Sequence, residues 1–188
     1  MMNLTAAETR LRVYDENDSS KLLVDTADGA DIARELQTIG VRFERWNADA
    51  DLAPGASHED VLAAYARSVQ RLQRDCGYQA VDVLRLERGA PNSAAMRQKF
   101  LSEHQHSEDE VRFFVEGRGA FYLRAGGKVF QTICVRGDLL GVPAGTKHWF
   151  DMGPDPDFTV LRFFTNPEGW VAQFTGDAIA DRFPKLEP

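Results

Sequence analysis

The chain has 188 residues, enough for one sizeable hydrophobic core, and no Pro- or Ser-rich linker divides it. Its 22 Lys and Arg residues against 29 Asp and Glu residues give a net charge of −7, which argues against a nucleic-acid partner. No stretch approaches the roughly 20 apolar residues that a membrane span requires, so we expect a soluble, cytoplasmic protein that does not bind membranes.

The first part of the chain mixes both types of secondary structure. Residues 11–16 and 41–46 alternate apolar and polar side chains as strands do. Residues 28–40 show a short helical pattern that ends at Gly40. These patterns predict a mixed α/β segment.

A longer helix is predicted after Ser57. Ser57 and Asp60 resemble a capping box, and the helical pattern ends at Cys76 and Gly77. This helix would cover one side of a sheet with the apolar side chains that recur at helical spacing: Val61, Leu62, Tyr65, Val69 and Leu72. The two cysteines, Cys76 and Cys134, form no CxxC pattern, so we expect reduced and buried thiols rather than a disulfide framework or a zinc ribbon.

Short β segments dominate from about residue 80. The predicted strands occupy residues 80–86, 110–117, 119–125, 127–136, 138–143, 147–152 and 158–164. Turn signals separate them in the sequences EGRG, AGG, RGD, PAGT and GPDPD. This spacing predicts a mostly β jelly-roll barrel with added helices. We expect one domain at 1–188, with a mixed α/β part at 1–79 and the barrel core at 80–175.

Two of the four histidines stand one residue apart in the sequence HQHSEDE. In extended chain, residues two apart face the same side, so His104 and His106 would point together, as would Glu110 and Arg112. His148 follows a Pro-Gly turn that could return its strand to the same end of the barrel. Isolated histidines are more often structural. This spacing instead favours three nitrogens and one oxygen around a first-row transition metal.

These residues fall into two spaced motifs. His-x-His-x3-Glu-x6-Gly spans 104–117, and Gly-x5-Pro-x-Gly-x2-His spans 137–148. Together they resemble the two motifs of the cupin superfamily, whose double-stranded β-helix binds one metal ion through the histidines and the glutamate. Two edge positions differ, because Gln98 stands where the first motif usually begins with glycine and Met152 where the second usually ends with asparagine.

Three longer stretches narrow the resemblance. Residues 99–124, 142–153 and 158–172 are similar to the acireductone dioxygenases, the cupin family of methionine salvage, whose "HWFDMG" stretch accounts for Met152. The resemblance places the family's arginine for forming the substrate dianion at Arg112. It places the family's metal ligands at His104, His106, Glu110 and His148.

Further candidates surround these positions. Arg112 would bind an anionic ligand, and its alternative is a salt bridge to Glu110 or another acid. Arg162 lies among apolar residues and is a second candidate for anion binding. Aromatic residues in such segments ordinarily belong to the core, but four of them could wall the substrate pocket: Phe100, Phe150, Phe164 and Trp170.

Two acidic residues directly precede metal-ligand candidates. Glu103 and Asp109 match positions that the resemblance associates with metal loading or with relaying a conformational change. The alternative is that both are merely acidic neighbours of the ligands.

The resemblance implies cleavage of acireductone, 1,2-dihydroxy-5-(methylthio)pent-1-en-3-one, by O2 with one Fe(II) or Ni(II) ion per chain. The Fe(II) form would give formate and 4-methylthio-2-oxobutanoate. The Ni(II) form would give formate, carbon monoxide and 3-(methylthio)propanoate. We expect a monomer whose partners are this small molecule and O2. Two alternatives are a cupin of another enzymatic class, such as a metal-dependent isomerase, and a module that binds a small ligand without catalysis.

Overall fold

The structure, a computed structural model, describes residues 8–188. The first seven residues of the predicted 1–79 segment lie outside the described part. The segment that follows contains three strands and three helices: β1 (Arg10–Asp15), β2 (Asp18–Thr26), α1 (Gly29–Gln37), β3 (Arg42–Arg45), α2 (His58–Ala64) and α3 (Ala66–Cys76).

The N-terminal predictions need three corrections. The predicted long helix is divided into two helices, α2 and α3, because Tyr65 between them takes a non-helical conformation (φ −108°, ψ 22°). The strand β2 was not predicted, because its sequence has no regular apolar alternation. It lies at the edge of a sheet and depends on backbone pairing with β1. Cys134 is buried, but Cys76 is exposed because the last turn of α3 lies outside the apolar core.

The barrel follows. Its elements are β4 (Ala80–Leu86), α4 (Ser93–Phe100), β5 (His104–Gln105), β6 (Glu110–Ala125), β7 (Lys128–Val135), β8 (Asp138–Val142), β9 (Lys147–Asp151), β10 (Phe158–Phe164), β11 (Gln173–Phe174) and a 3-10 helix (Ile179–Arg182). One antiparallel sheet has the order β11-β5-β9-β6-β7-β1-β2, and the other has the order β3-β8-β6-β10-β4. This is the mostly β jelly-roll barrel with N-terminal additions that the sequence predicts. Among residues 8–188, no helix is both long and apolar enough to cross a membrane.

Strand β6 belongs to both sheets. Its first half pairs with β8 and β10, and its second half pairs with β7 and β9. The predicted EGRG turn is therefore wrong, since the strand runs through it and bends at Gly117, which has a φ of 64°. A Cβ atom at Gly117 would overlap the carbonyl oxygen of Asp157, so a side chain is excluded from this bend.

Three apolar clusters hold these layers together. The largest fills the barrel between the two sheets and includes Phe114, Phe121 and Phe150. A second lies between the sheet β3-β8-β6-β10-β4 and the helices α2 and α3. A third lies under the C-terminal segment. Helix α4 has no fully buried residue, which explains why the sequence showed no helical apolar pattern there. Gln98, at the edge of the first motif, lies in this helix.

Candidate metal centre

Three histidines converge at one end of the barrel. His104 in β5 lies directly opposite His148 in β9, and His106 follows two residues after His104. One ring nitrogen from each of the three lies within 4.8 Å of the others. The Oε2 atom of Glu110 is 3.5 Å from His106 Nε2 and 3.7 Å from His148 Nε2. The structure therefore brings together the four side chains that the sequence proposes as ligands.

Backbone carbonyl groups set the orientation of all three rings. The Nδ1 atom of His104 lies 2.8 Å from the oxygen of Ser102, and that of His148 lies 2.8 Å from the oxygen of Thr146. His106 Nδ1 lies 3.1 Å from the oxygen of a residue far along the chain, Val171. Because a carbonyl oxygen only accepts, each Nδ1 carries the proton and each Nε2 keeps its lone pair.

The atoms that face one another have no other partner. His106 Nε2, His148 Nε2 and Glu110 Oε2 are buried without a hydrogen bond. Such orphaned polar atoms are costly in a protein interior unless something binds them. Two imidazole lone pairs and a carboxylate oxygen that share one small space suit a divalent transition metal, so the donor set fits a metal site.

Burial and charge keep these groups in the protonation state that metals require. Burial lowers the pKa of His148 to about 3 and also lowers the pKa of His104. Burial is the largest single influence and opposes ionisation of Glu110, but Arg112, His148 and His106 together outweigh it, and the pKa of Glu110 falls to about 2. Near neutral pH, His104 and His148 are therefore uncharged and Glu110 is a carboxylate, as metal ligation requires.

Arg112 lies beside Glu110 on the same face of β6, as strand parity predicts. Its Nε atom donates to Glu110 Oε1 at 2.5 Å, and only 2% of the residue is exposed. The guanidinium carbon lies 4.7 Å from the ring centre of Phe121 and 5.2 Å from that of Phe150. The salt bridge considered as an alternative exists, but it leaves Arg112 Nη1 buried without a hydrogen-bond partner.

The aromatic candidates are spread unevenly around the centre. The Phe164 ring centre is 5.7 Å from that of His106, and Trp170, which is half exposed, lies 6.5 Å from Phe164. Phe150 is fully buried inside the barrel, and Phe100 of α4 contacts its edge with ring centres 6.2 Å apart. Phe164 thus borders the histidines, whereas Phe150 borders Arg112 and Phe100 borders Phe150.

Arg162 faces the barrel interior but already has a partner. It lies opposite Arg112 across the β6–β10 pair and opposite Asp82 across the β4–β10 pair. Two of its nitrogens contact the two oxygens of Asp82, at 2.9 and 2.5 Å. Its charge is therefore largely matched, and Arg112 is the better placed cation for an anionic ligand.

The two acidic neighbours make structural contacts. Glu103 accepts from Arg124 at 3.2 Å and from the Thr175 hydroxyl at 2.7 Å, which anchors the C-terminal segment beside β5. Asp109 accepts from the backbone N–H of Ala144 at 2.8 Å and so holds the turn before His148. These contacts hold the elements that carry ligands, while the roles in metal loading and relay stay predictions.

Three residues at this site were not predicted. Phe121 shares the inward face with Leu123, as alternation along 119–125 could have indicated. Asp82 could have been noticed as an acid in a strand of alternating apolar residues. Nothing in the sequence indicates that the carbonyl of Val171 orients His106, because a backbone acceptor 65 residues away leaves no residue-type signal.

Comparison with known proteins agrees with this geometry. The model of the ARD/ARD' family matches residues 10–172. The acireductone dioxygenase of Parvibaculum lavamentivorans is 57% identical over 179 residues, which cover 95% of this chain and 97% of that protein. The Pseudomonas aeruginosa enzyme of the same name is 55% identical over 177 residues, covering 94% and 98%. The solved acireductone dioxygenase from Bacillus anthracis, with a cadmium ion in its active centre, has a TM-score of 0.75 at 28% identity over 90% of this chain and all of that chain.

Proposed function

The chain belongs to the ARD/ARD' family, and on that basis we propose that it is a metal-dependent dioxygenase that cleaves acireductone with O2. The observation that carries the proposal is the convergence of orphaned His106 Nε2, His148 Nε2 and Glu110 Oε2 in a chain this similar to named acireductone dioxygenases. This arrangement would be unfavourable in a barrel that only packs its core.

We propose that one divalent metal is bound by His104, His106, Glu110 and His148. Nitrogen and oxygen donors of this kind suit both Fe(II) and Ni(II), and the cadmium ion in the active centre of the B. anthracis relative supports a divalent metal. When bound, the metal supplies a Lewis acid that orients the enediol oxygens of the substrate and stabilises their charge.

The chain's own residues have separate tasks in this proposal. Arg112 offers its free Nη1 donor to the second enediol oxygen, which favours the deprotonated substrate. The ion pair with Glu110 keeps that guanidinium beside the ligands. Phe150 and Phe164 keep bulk water from the reacting atoms, because both rings are buried.

We propose that the metal selects between two sets of products. In the Fe(II) form, acireductone and O2 give formate and 4-methylthio-2-oxobutanoate. In the Ni(II) form, the same two reactants give formate, carbon monoxide and 3-(methylthio)propanoate. Both sets account for every atom of acireductone and O2.

The organisation expected from the sequence is also part of the proposal. The N-terminal strands β1 and β3 pair with β7 and β8 of the barrel, which supports one domain rather than two. We further propose that the enzyme acts as a monomer in the cytoplasm.

The test combines metal analysis with an oxygen electrode. Purified protein should contain about one metal ion per chain, as four converging ligands imply, and should consume O2 when acireductone is added. Conversion of acireductone without O2 uptake would favour an isomerase. Binding without conversion would favour a small-ligand module.

A further inference from the structure

Arg112 is a buried cation with a donor left over. Its Nε atom donates to Glu110, while Nη1 has no hydrogen-bond partner. A guanidinium keeps its charge in a protein and has five N–H donors, so its burial must be offset by other contacts. The ion pair fixes one edge of the group. The rest of the guanidinium plane must be held by other contacts.

Two aromatic rings form the rest of its surroundings. The guanidinium carbon is 4.7 Å from the Phe121 ring centre and 5.2 Å from that of Phe150, and the two ring centres are 5.1 Å apart. These three distances describe a nearly equilateral triangle. The cation therefore sits in the corner between two rings, where both ring faces attract it.

Phe121 is the closer ring and is rigidly placed. It is fully buried and lies directly opposite Phe150 in the β6–β9 pair. Its ring centre is also 5.9 Å from that of His148. Phe121 thus contacts both the arginine and a proposed metal ligand, and neither contact depends on a mobile loop.

We propose that Phe121 is a positioning residue, whose ring face holds the Arg112 guanidinium so that Nη1 stays free for an anionic substrate oxygen. The use of Nη1 by a substrate rests on the proposed function, whereas the contact between ring and cation does not. Phe121 acts through Arg112 and touches no reacting atom itself.

The competing explanation is that Phe121 only fills the core. Truncation to leucine does not distinguish a positioning role from core filling, because it removes both side-chain volume and the negative charge of the ring face. Fluorination does, since it withdraws negative charge from the ring face and changes the volume little. A cation–aromatic contact must weaken stepwise with each fluorine, while packing alone predicts almost no change.

The experiment incorporates monofluoro- and 3,4,5-trifluorophenylalanine at position 121 and, as a matched control, at position 130. Phe130 is buried in the same cluster, and no cation–aromatic contact of Phe130 occurs within residues 8–188. The trifluoro ring at 121 should lower kcat/KM per bound metal by about threefold to tenfold, the monofluoro ring by less. Metal content should not change.

A second measurement is independent of substrate and metal. Nitrogen-15 NMR of the metal-free protein reports hydrogen exchange at Arg112 Nε–H, which should become faster as fluorines are added at 121 but not at 130. If fluorination at 121 and fluorination at 130 change the exchange rate equally, the proposal is overturned.

If the wild-type protein does not oxidise acireductone, the proposed function fails, while the exchange measurement still decides the role of Phe121. If the trifluoro variant does not fold, the monofluoro ring at 121 is compared with the monofluoro ring at 130 by the same exchange measurement, and equal rates again overturn the proposal.

Discussion

Arg112→Ala would distinguish a structural from a catalytic role for the arginine beside the proposed metal ligands. The residue is 2% exposed, pairs with Glu110 at 2.5 Å and contacts two rings, so its removal leaves the Glu110 carboxylate buried and unmatched. Removing one partner of a buried ion pair typically lowers the free energy of unfolding by about 3 to 5 kcal/mol. We expect that loss in the metal-free protein.

The metal-loaded protein should respond differently. With a cation bound to Glu110, the carboxylate is no longer unmatched, so the destabilisation by Arg112→Ala should be smaller than in the metal-free protein. Turnover per bound metal should nevertheless fall, because the donor proposed for the substrate oxygen, Arg112 Nη1, is gone. Loss of such a contact costs on the order of 2 to 4 kcal/mol, which is roughly 30-fold to 1,000-fold in rate. Arg112→Lys should recover little, since an ammonium cannot reproduce the planar fork.

The assay measures metal content, melting temperature and O2 uptake per bound metal for each variant. Arg85→Ala is the matched control, because Arg85 is a largely buried arginine of β4 that pairs with Glu116 at 2.9 Å, and it is not among the groups that surround the histidines. The control should lose stability without losing turnover per metal. If Arg112→Ala also keeps its turnover per metal, the catalytic role is wrong and Arg112 is only a structural ion-pair partner.

Three further predictions follow from the same centre. His148→Ala should lower metal content and activity sharply because one metal bond is lost, and full metal occupancy in that variant would exclude His148 as a ligand. Metal-free protein reloaded separately with Fe(II) and Ni(II) should release carbon monoxide only with nickel, so identical products with both metals would contradict the family-based proposal. The pKa of His148 is lowered to about 3 in the folded protein. The unfolded chain therefore takes up the proton first, and this one histidine should lower the free energy of unfolding of the metal-free protein as the pH drops from about 6.5 towards 3, by at most about 1.4 kcal/mol per pH unit. Urea titrations at several pH values should show this slope, and His148→Gln should flatten it; the same slope in both proteins would mean that His148 is not the group responsible.

The strands were predictable where apolar side chains recur along the sequence because they pack against the apolar clusters. Residues 80–86 and 158–164 coincide with β4 and β10, because both strands are covered by the barrel core on one side and by the helices or their cluster on the other. The edge strand β2 and the exposed helix α4 were missed for the opposite reason. Neither buries enough side chains to impose a period on its sequence.

The candidate site was predictable in its side chains but not in its supports. Strand parity alone placed His104 with His106 and Glu110 with Arg112, since these pairs lie two residues apart on extended chain. The carbonyl that orients His106 and the carboxylate that pairs with Arg162 come from distant segments. Such partners follow from tertiary packing, which residue spacing does not encode.

The position of the site follows from the path of β6. His104 and His148 belong to the sheet in which β5, β9 and the second half of β6 are neighbours, and His148 is directly opposite Leu123. Glu110 begins the first half of β6, which pairs with β8 and β10 in the other sheet. The proposed ligands therefore come from both sheets, and they meet because β6 bends at Gly117 and passes from one sheet into the other. A metal bound there would connect the two sheets, so metal binding and the closure of this end of the barrel should stabilise each other.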